Sequence, residues 1–205
     1  MWALVESDSI TKIINNPKAM VIGDVQYPAK IFQLWSGSEL NAIGIYEVVT
    51  NSTNFKDEKW YINTNESYAF ADDQVTRSWG TATPKAHADT LWTAQDETDG
   101  KGTEGEVATR GLKYNLIKDL KSQVANELAR TDWYITRNTE KETAIPSAIS
   151  THRDAVRTKQ AEMETAITNA SDTPALETLY THVNTGTEEN PVIERPLGEL
   201  PTLEI

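Results

Sequence analysis

Two hydrophobic periods divide the chain. Through about residue 80, apolar positions recur in short runs with a period of two, and turn residues punctuate them. Trp2–Glu6 reads as a strand and Ser9–Ile14 as its hairpin partner, with Ser7-Asp8 in the turn. Asn15-Asn16-Pro17 is a second turn signal, and Met20–Ile22 and Val25–Tyr27 flank Gly23-Asp24. Pro28 ends that strand. Ser36-Gly37-Ser38-Glu39 then has the form of a capping box, with Ser36 at the N-cap and Glu39 three positions on. Leu40 and Ile43 follow on one face, and Gly44 stands where a C-cap glycine belongs, so one short helix is expected. The β-branched run Ile45–Thr50 predicts a strand, and 58–80 predicts a meander in which Trp60, Ile62, Tyr68 and Phe70 alternate with polar or small residues.

After Gly111 the period lengthens. Leu112, Leu116, Leu120, Val124 and Leu128 recur every fourth residue, as one face of a helix ending near Thr131-Asp132-Trp133 requires. A second helix is expected over 146–170, with Pro146 in its first turn and Ile149, Val156, Met163 and Ala170 spaced by sevens. Lys159 falls near an inward position and interrupts that repeat. A third, shorter helix starts after Asp172-Thr173-Pro174 and carries Leu176, Leu179, Tyr180 and Val183. From Asn184 on, Pro191, Pro196 and Pro201 break regular structure. The apolar side chains Val192, Ile193, Leu197, Leu200, Leu203 and Ile205 are nevertheless spread along that stretch, which predicts an extended arm docked on something.

The pattern as a whole predicts an α+β protein. A small antiparallel β-rich module with one short helix spans 1–80. A polar linker spans 81–110, its glycine-rich acidic stretch 96–106 being the candidate domain boundary. A helical hairpin region covers 111–183 and an extended C-terminal arm 184–205.

Charge narrows the classes of partner. The 205 residues carry 19 Lys and Arg against 31 Asp and Glu, a formal net charge of -12. Nucleic-acid binding needs a cationic footprint, and no basic run of five exists here. An anionic membrane surface repels such a chain as well. No apolar run approaches the roughly 18 residues of a membrane helix, and the first residues show neither a basic nor an apolar leader region. A chain that is soluble and made in the cytoplasm is expected. The absence of cysteine excludes disulfides, thiolate nucleophiles and sulfur-ligated metals.

Candidate chemistry is sparse. His87, His152 and His182 are not spaced for a metal site, and surface or packing roles are expected of them. The loop around Asp96, Asp99 and Gly100 lacks the ligand spacing of a calcium loop. Gly100, Gly102 and Gly105 with Lys101 lack the strand and helix that frame a phosphate loop. No catalytic residue, cofactor or metal ligand is therefore assigned. Of the six tryptophans, Trp35, Trp60, Trp79 and Trp133 are expected in cores. Trp2 and Trp92, near segment edges, are candidate interface anchors along with Leu197, Leu200, Leu203 and Ile205.

Two stretches resemble bacteriophage tail proteins. Tyr27-Pro28-Ala29-Lys30-Ile31-Phe32, then Trp35-Ser36 and Glu39 to Val48 with Gly44, resembles the small N-terminal module of many tail proteins. Leu128-Ala129-Arg130-Thr131-Asp132-Trp133, followed by Pro146 and His152-Arg153, is similar to the Thr-Asp-Trp element of tail-fibre assembly proteins. The resemblance implies a non-enzymatic structural protein of the virion tail, made in the host cytoplasm. It would be homo-oligomeric and packed against fibre or baseplate proteins. An assembly chaperone that leaves before the virion matures is the alternative, and a carbohydrate-binding or hydrolytic fibre module a third. In the residues alone, Asp132 is expected to accept backbone N–H groups at the helix end, and Trp133 to close the open end of the helical hairpin.

Overall fold

The computed structural model describes residues 1–203, so Ile205 lies outside the described residues. The architecture is α+β. It divides into two compact units, Met1–Thr83 and Pro84–Ile205. The division falls at the start of the expected linker, and the acidic loop lies inside the second unit.

In the first unit, β1 (Trp2–Glu6), β2 (Ser9–Ile14), β3 (Met20–Ile22) and β4 (Val25–Tyr27) form as the alternation predicts. The two-residue turns carry the required backbone. Ser7 and Asp8, and later Asp72 and Asp73, have φ of 50°, 59°, 51° and 56°, the left-handed pair that suits a tight hairpin. Two short helices follow where one was expected: α1 (Ile31–Leu34) and α2 (Gly37–Asn41). The first escapes a periodicity reading because it is a single turn with no side-chain cap. The second has its capping box: Ser36 N–H donates to Glu39 Oε2 at 2.8 Å, and Glu39 N–H to Ser36 Oγ at 3.3 Å. Next come β5 (Ile45–Thr50), β6 (Tyr61–Ile62), β7 (Ser67–Ala71) and β8 (Gln74–Ser78), with β9 (Thr83–Pro84) at the division between units.

Five strands join in the order β2-β1-β5-β8-β7, and the sheet curls until its outer strands β2 and β7 approach each other. It is antiparallel except at β5 and β8, which run parallel with Val48 opposite Val75. That pair is the exception in a sheet otherwise antiparallel as expected. It arises because the β7–β8 hairpin inserts with its second strand innermost. Both faces of the sheet are covered. Ala3, Val5, Val48 and Val75 pack with Tyr46, Tyr68 and Phe70 on one side. Leu4, Ile14, Ile31, Leu40 and Ile45 pack on the other with Trp2, Met20, Tyr27 and Phe32. Gly44 has φ +82°, and an added Cβ would stand 2.6 Å from the Val5 carbonyl, so only glycine lets this turn close on β1.

In the second unit the expected linker is ordered. Strand β10 (Thr90–Leu91) pairs with β11 (Val107–Thr109), and α3 (Ala94–Thr98) lies in the loop between them. Thr93 and Asp96 form a capping box that glycine-rich composition masks. The chain before this hairpin answers the open end of the next helix, α4 (Leu112–Ala129). Leu112 and Lys113 N–H donate to the Ala86 and His87 carbonyls at 3.0 Å, and Gly111 N–H to Asp89 Oδ1 at 2.8 Å. A loose tether would leave those donors to water.

Helix α4 packs antiparallel to α6 (Ser147–Asn169), with α5 (Asp132–Lys141) between them in sequence. The direction follows from contacts at the two ends. Lys113 donates to the Thr168 carbonyl at 2.8 Å, and Glu127 meets His152. Leu116, Leu120 and Val124 on α4, and Ile149, Val156 and Met163 on α6 with Ala170 at its C-cap, are all buried, as the fours and sevens predict, with Ile167 beside them. Helix α7 (Thr173–Tyr180) is capped by Asp172, which accepts the Ala175 N–H at 2.8 Å. The arm is not simply extended. Strands β12 (Val183–Asn184) and β13 (Ile193–Glu194) form a hairpin, and beyond it Leu197 is buried, its N–H on the Leu179 carbonyl at 3.0 Å.

Candidate interaction surfaces

At the junction of α4, α5 and α6 lies a polar cluster in an otherwise apolar seam. Thr131, His152 and Arg153 are buried there. One terminal nitrogen of Arg153 donates to the Leu128 carbonyl at 2.8 Å, to Thr131 Oγ1 at 2.7 Å and to Asp132 Oδ1 at 2.8 Å. Thr131 Oγ1 donates in turn to the Leu128 carbonyl at 3.0 Å. Beside this, His152 Nε2 lies 3.1 Å from Glu127 Oε1, and Arg130 holds the same carboxylate at 2.9 Å. The Arg130 hydrogen bonds keep Glu127 below the usual carboxylate range, with His152 contributing less.

The cluster corrects one expectation: Asp132 binds the Arg153 guanidinium rather than backbone N–H groups. Helix α4 ends near Thr131 as expected, and α5 sets off from that corner. The neighbours His152 and Arg153 both reach the seam because its buried arc is wide enough to take two successive helical positions.

None of the side chains of α5 is buried. Trp133, expected to close the hairpin, is 51% exposed. Arg137 lies over its ring at 4.7 Å and over Tyr134 at 5.5 Å, with Arg137 Nε buried and without a hydrogen-bond partner. Ile135 is also exposed. A ten-residue helix is marginal in water by itself. Here one buried arginine fixes its first turn, and Asn138 holds its end by donating to the Thr143 carbonyl at 2.9 Å. The outcome is an aromatic side chain half open to solvent, packed against Tyr134 and under Arg137.

The first unit has its own exposed apolar edge. Tyr27 and Trp35 meet edge to face at 5.9 Å, Trp35 is 36% exposed, and Leu34 beside it is 70% exposed. Val25 is exposed on the same hairpin. The Pro28 carbonyl accepts the Ile31 N–H at 3.2 Å and starts α1, so Tyr27-Pro28 turns the chain from strand to helix. Trp35, expected in the core, thus belongs to the surface. Trp60 is buried as expected, and Trp79 is half-buried between Phe55 and the Arg77 guanidinium.

The named anchor candidates are distributed differently from the expectation. Trp2 packs on the first-unit core, 5.8 Å from Phe32. Trp92 is half-buried against Gly102, where an added Cβ would come within 2.3 Å of its Nε1. Leu197 is taken up by its own chain, and Leu200 and Leu203 are half-buried. Trp2, Trp92 and Leu197 thus serve the fold. The solvent-facing set that the sequence reading missed is Leu34, Ile135, Val183, Val192 and Ile193. Apolar residues on very short elements carry no periodicity to signal their side.

Among the described residues, no three of His, Asp and Glu are grouped to hold a metal ion, and no helix is long and apolar enough to cross a membrane. No protein-family model, curated protein or solved structure matches the chain.

Proposed function

We propose that the chain is a structural component of a bacteriophage tail, associated with fibre or baseplate and acting by protein–protein packing. One observation carries this reading: a buried arginine is spent on fixing α5, a helix that buries none of its own side chains and presents Trp133 to solvent. Buried charge is costly in a core and is tolerated where it fixes a geometry. Aromatic residues held rigidly at a surface are the usual anchors of protein interfaces. The order of the Tyr27-Pro28 and Thr131-Asp132-Trp133 elements along one chain supports the same reading through the resemblance. The partners are then fibre or baseplate proteins and further copies of the chain, and the location is the virion tail.

Quantitative mass spectrometry of purified particles from the phage that encodes the chain on this reading tests it. A copy number that is a multiple of three or six is expected. Recovery only from infected-cell lysate, bound to a fibre protein, replaces the reading with that of an assembly chaperone. Replacing Trp133 with Ser is expected to change stability by under about 1 kcal/mol, as for a surface site, while lowering incorporation into particles. Unchanged incorporation removes Trp133 from the interface.

A further inference from the structure

Two exposed surfaces of the second unit share apolar character and carry opposite charge. On α4, Tyr114, Ile117, Lys118 and Lys121 line a shallow groove, spaced as one helical face. Its surroundings are basic: residues 110–121 hold four cations and one acid in a chain of net charge -12. Lys118 is exposed, and Lys121 makes a long ion pair of 3.6 Å with Glu164. The second surface is the β12–β13 hairpin. Val183 and Val192 are exposed on the face that carries Glu194, and Ile193 is exposed on the other face at 60%. Residues 183–194 hold three glutamates and no cation, with Glu188 and Glu189 together in the connecting turn.

We propose that these surfaces bind each other between copies of the chain, the hairpin of one copy seated on the α4 groove of the next. Both are uncovered in the same unit of one molecule, so neither occupies the other within the chain. Each supplies what suits its counterpart: aliphatic side chains for the Tyr114 and Ile117 strip, and carboxylates for Lys118 and, beyond its long pair with Glu164, for Lys121. Charge complementarity of this kind sets register and suppresses wrong partners. Because the two surfaces differ, the contact is head-to-tail, and it closes into a ring or runs on as an open array. The proposal requires only this chain, so it stands or falls separately from the tail reading.

Sedimentation velocity on the full chain tests it, at about 0.15 M salt where the screening length is about 8 Å and the overall repulsion between copies is muted. Reversible association is expected at about 100 μM, as befits a small interface. Lys118→Glu with Lys121→Glu is expected to abolish it, and so is Glu188→Lys with Glu189→Lys. All four positions are exposed, and circular dichroism confirms that each variant is folded. Mixing the two reversed variants restores opposite charge at both contacts and is expected to restore association. A parent chain that stays monomeric at that concentration overturns the proposal. So does association that survives both reversals, or a mixture of the reversed variants that fails to associate.

Discussion

Replacing Arg153 with Ala tests whether the α4–α5 corner is built as described. The Arg153 nitrogen has two hydrogens and faces three acceptors, so one contact is shared. Its loss does not orphan all three. The Leu128 carbonyl still accepts from the Thr131 backbone and hydroxyl, and the Asp132 side chain is 60% exposed and rehydrates. About one charge-assisted hydrogen bond is then lost net, roughly 1.5–3 kcal/mol. The missing stem methylenes remove about 0.8 kcal/mol each. Relief from desolvating a guanidinium offsets part of this. The expected destabilisation is about 2–3 kcal/mol, read from chemical unfolding. Arg153→Met keeps the stem and is expected to cost about half as much. The diagnostic measurement is amide exchange, which should quicken across α5 more than in the centre of α6. A loss below about 0.5 kcal/mol with unchanged α5 exchange refutes the claim that Arg153 holds this helix.

Other expectations follow from the same geometry. Gly44→Ala forces a Cβ to 2.6 Å from the Val5 carbonyl at positive φ. It is expected to cost about 2–4 kcal/mol, whereas Gly23→Ala, with open space around it, costs only the left-handed backbone penalty of about 1 kcal/mol; equal thermal shifts for the two overturn the close-approach argument. Leu197→Ala is expected to cost about 2–4 kcal/mol and to expose 184–203 to limited proteolysis, and an unchanged digestion pattern counts against the docked arm. Thr93 hydrogen bonds, first through the hydroxyl and then the backbone, lower the Asp96 carboxyl to about 2, with help from Lys101. Its folded value lies below the ordinary 3.8, so the capping interaction is present above pH 4 and fades as pH falls towards 2. The Asp96 carboxyl resonance should titrate with a midpoint near 2, and a midpoint near 4 refutes the cap.

Most elements were legible where side-chain pattern and local capping agree. The Ser36–Glu39 box, the Ser7-Asp8 turn and the Leu116, Leu120, Val124 stripe read directly into structure. What escaped depends on tertiary context. Composition marks 96–106 as a loop, while its order comes from the Thr93–Asp96 cap and from donors that α4 offers to residues 86–89. The parallel β5–β8 pair is a choice between topologies that the same alternation permits. For the candidate surfaces, the roles of Thr131 and Asp132 turn on Arg153, a residue more than 20 positions away that no local pattern connects to them. Short segments and irregular chain hide which side of Trp2, Trp92 and Leu197 is covered.

The parallel pair also sets a timetable for folding. Strand β1 is made first, yet it pairs on one side with residues up to Glu47, and β5 beyond it waits for Val75 to Arg77. A ribosome adds about 5–20 residues per second, so the β1–β2 hairpin stands alone for several seconds with one long edge unpaired. Long-range pairing of this kind makes folding slow and leaves that edge open to stray strands. Synthesis that stalls between Thr50 and Gln74 should therefore cause more aggregation than a stall after Ser78, when every strand of the curled sheet has been made.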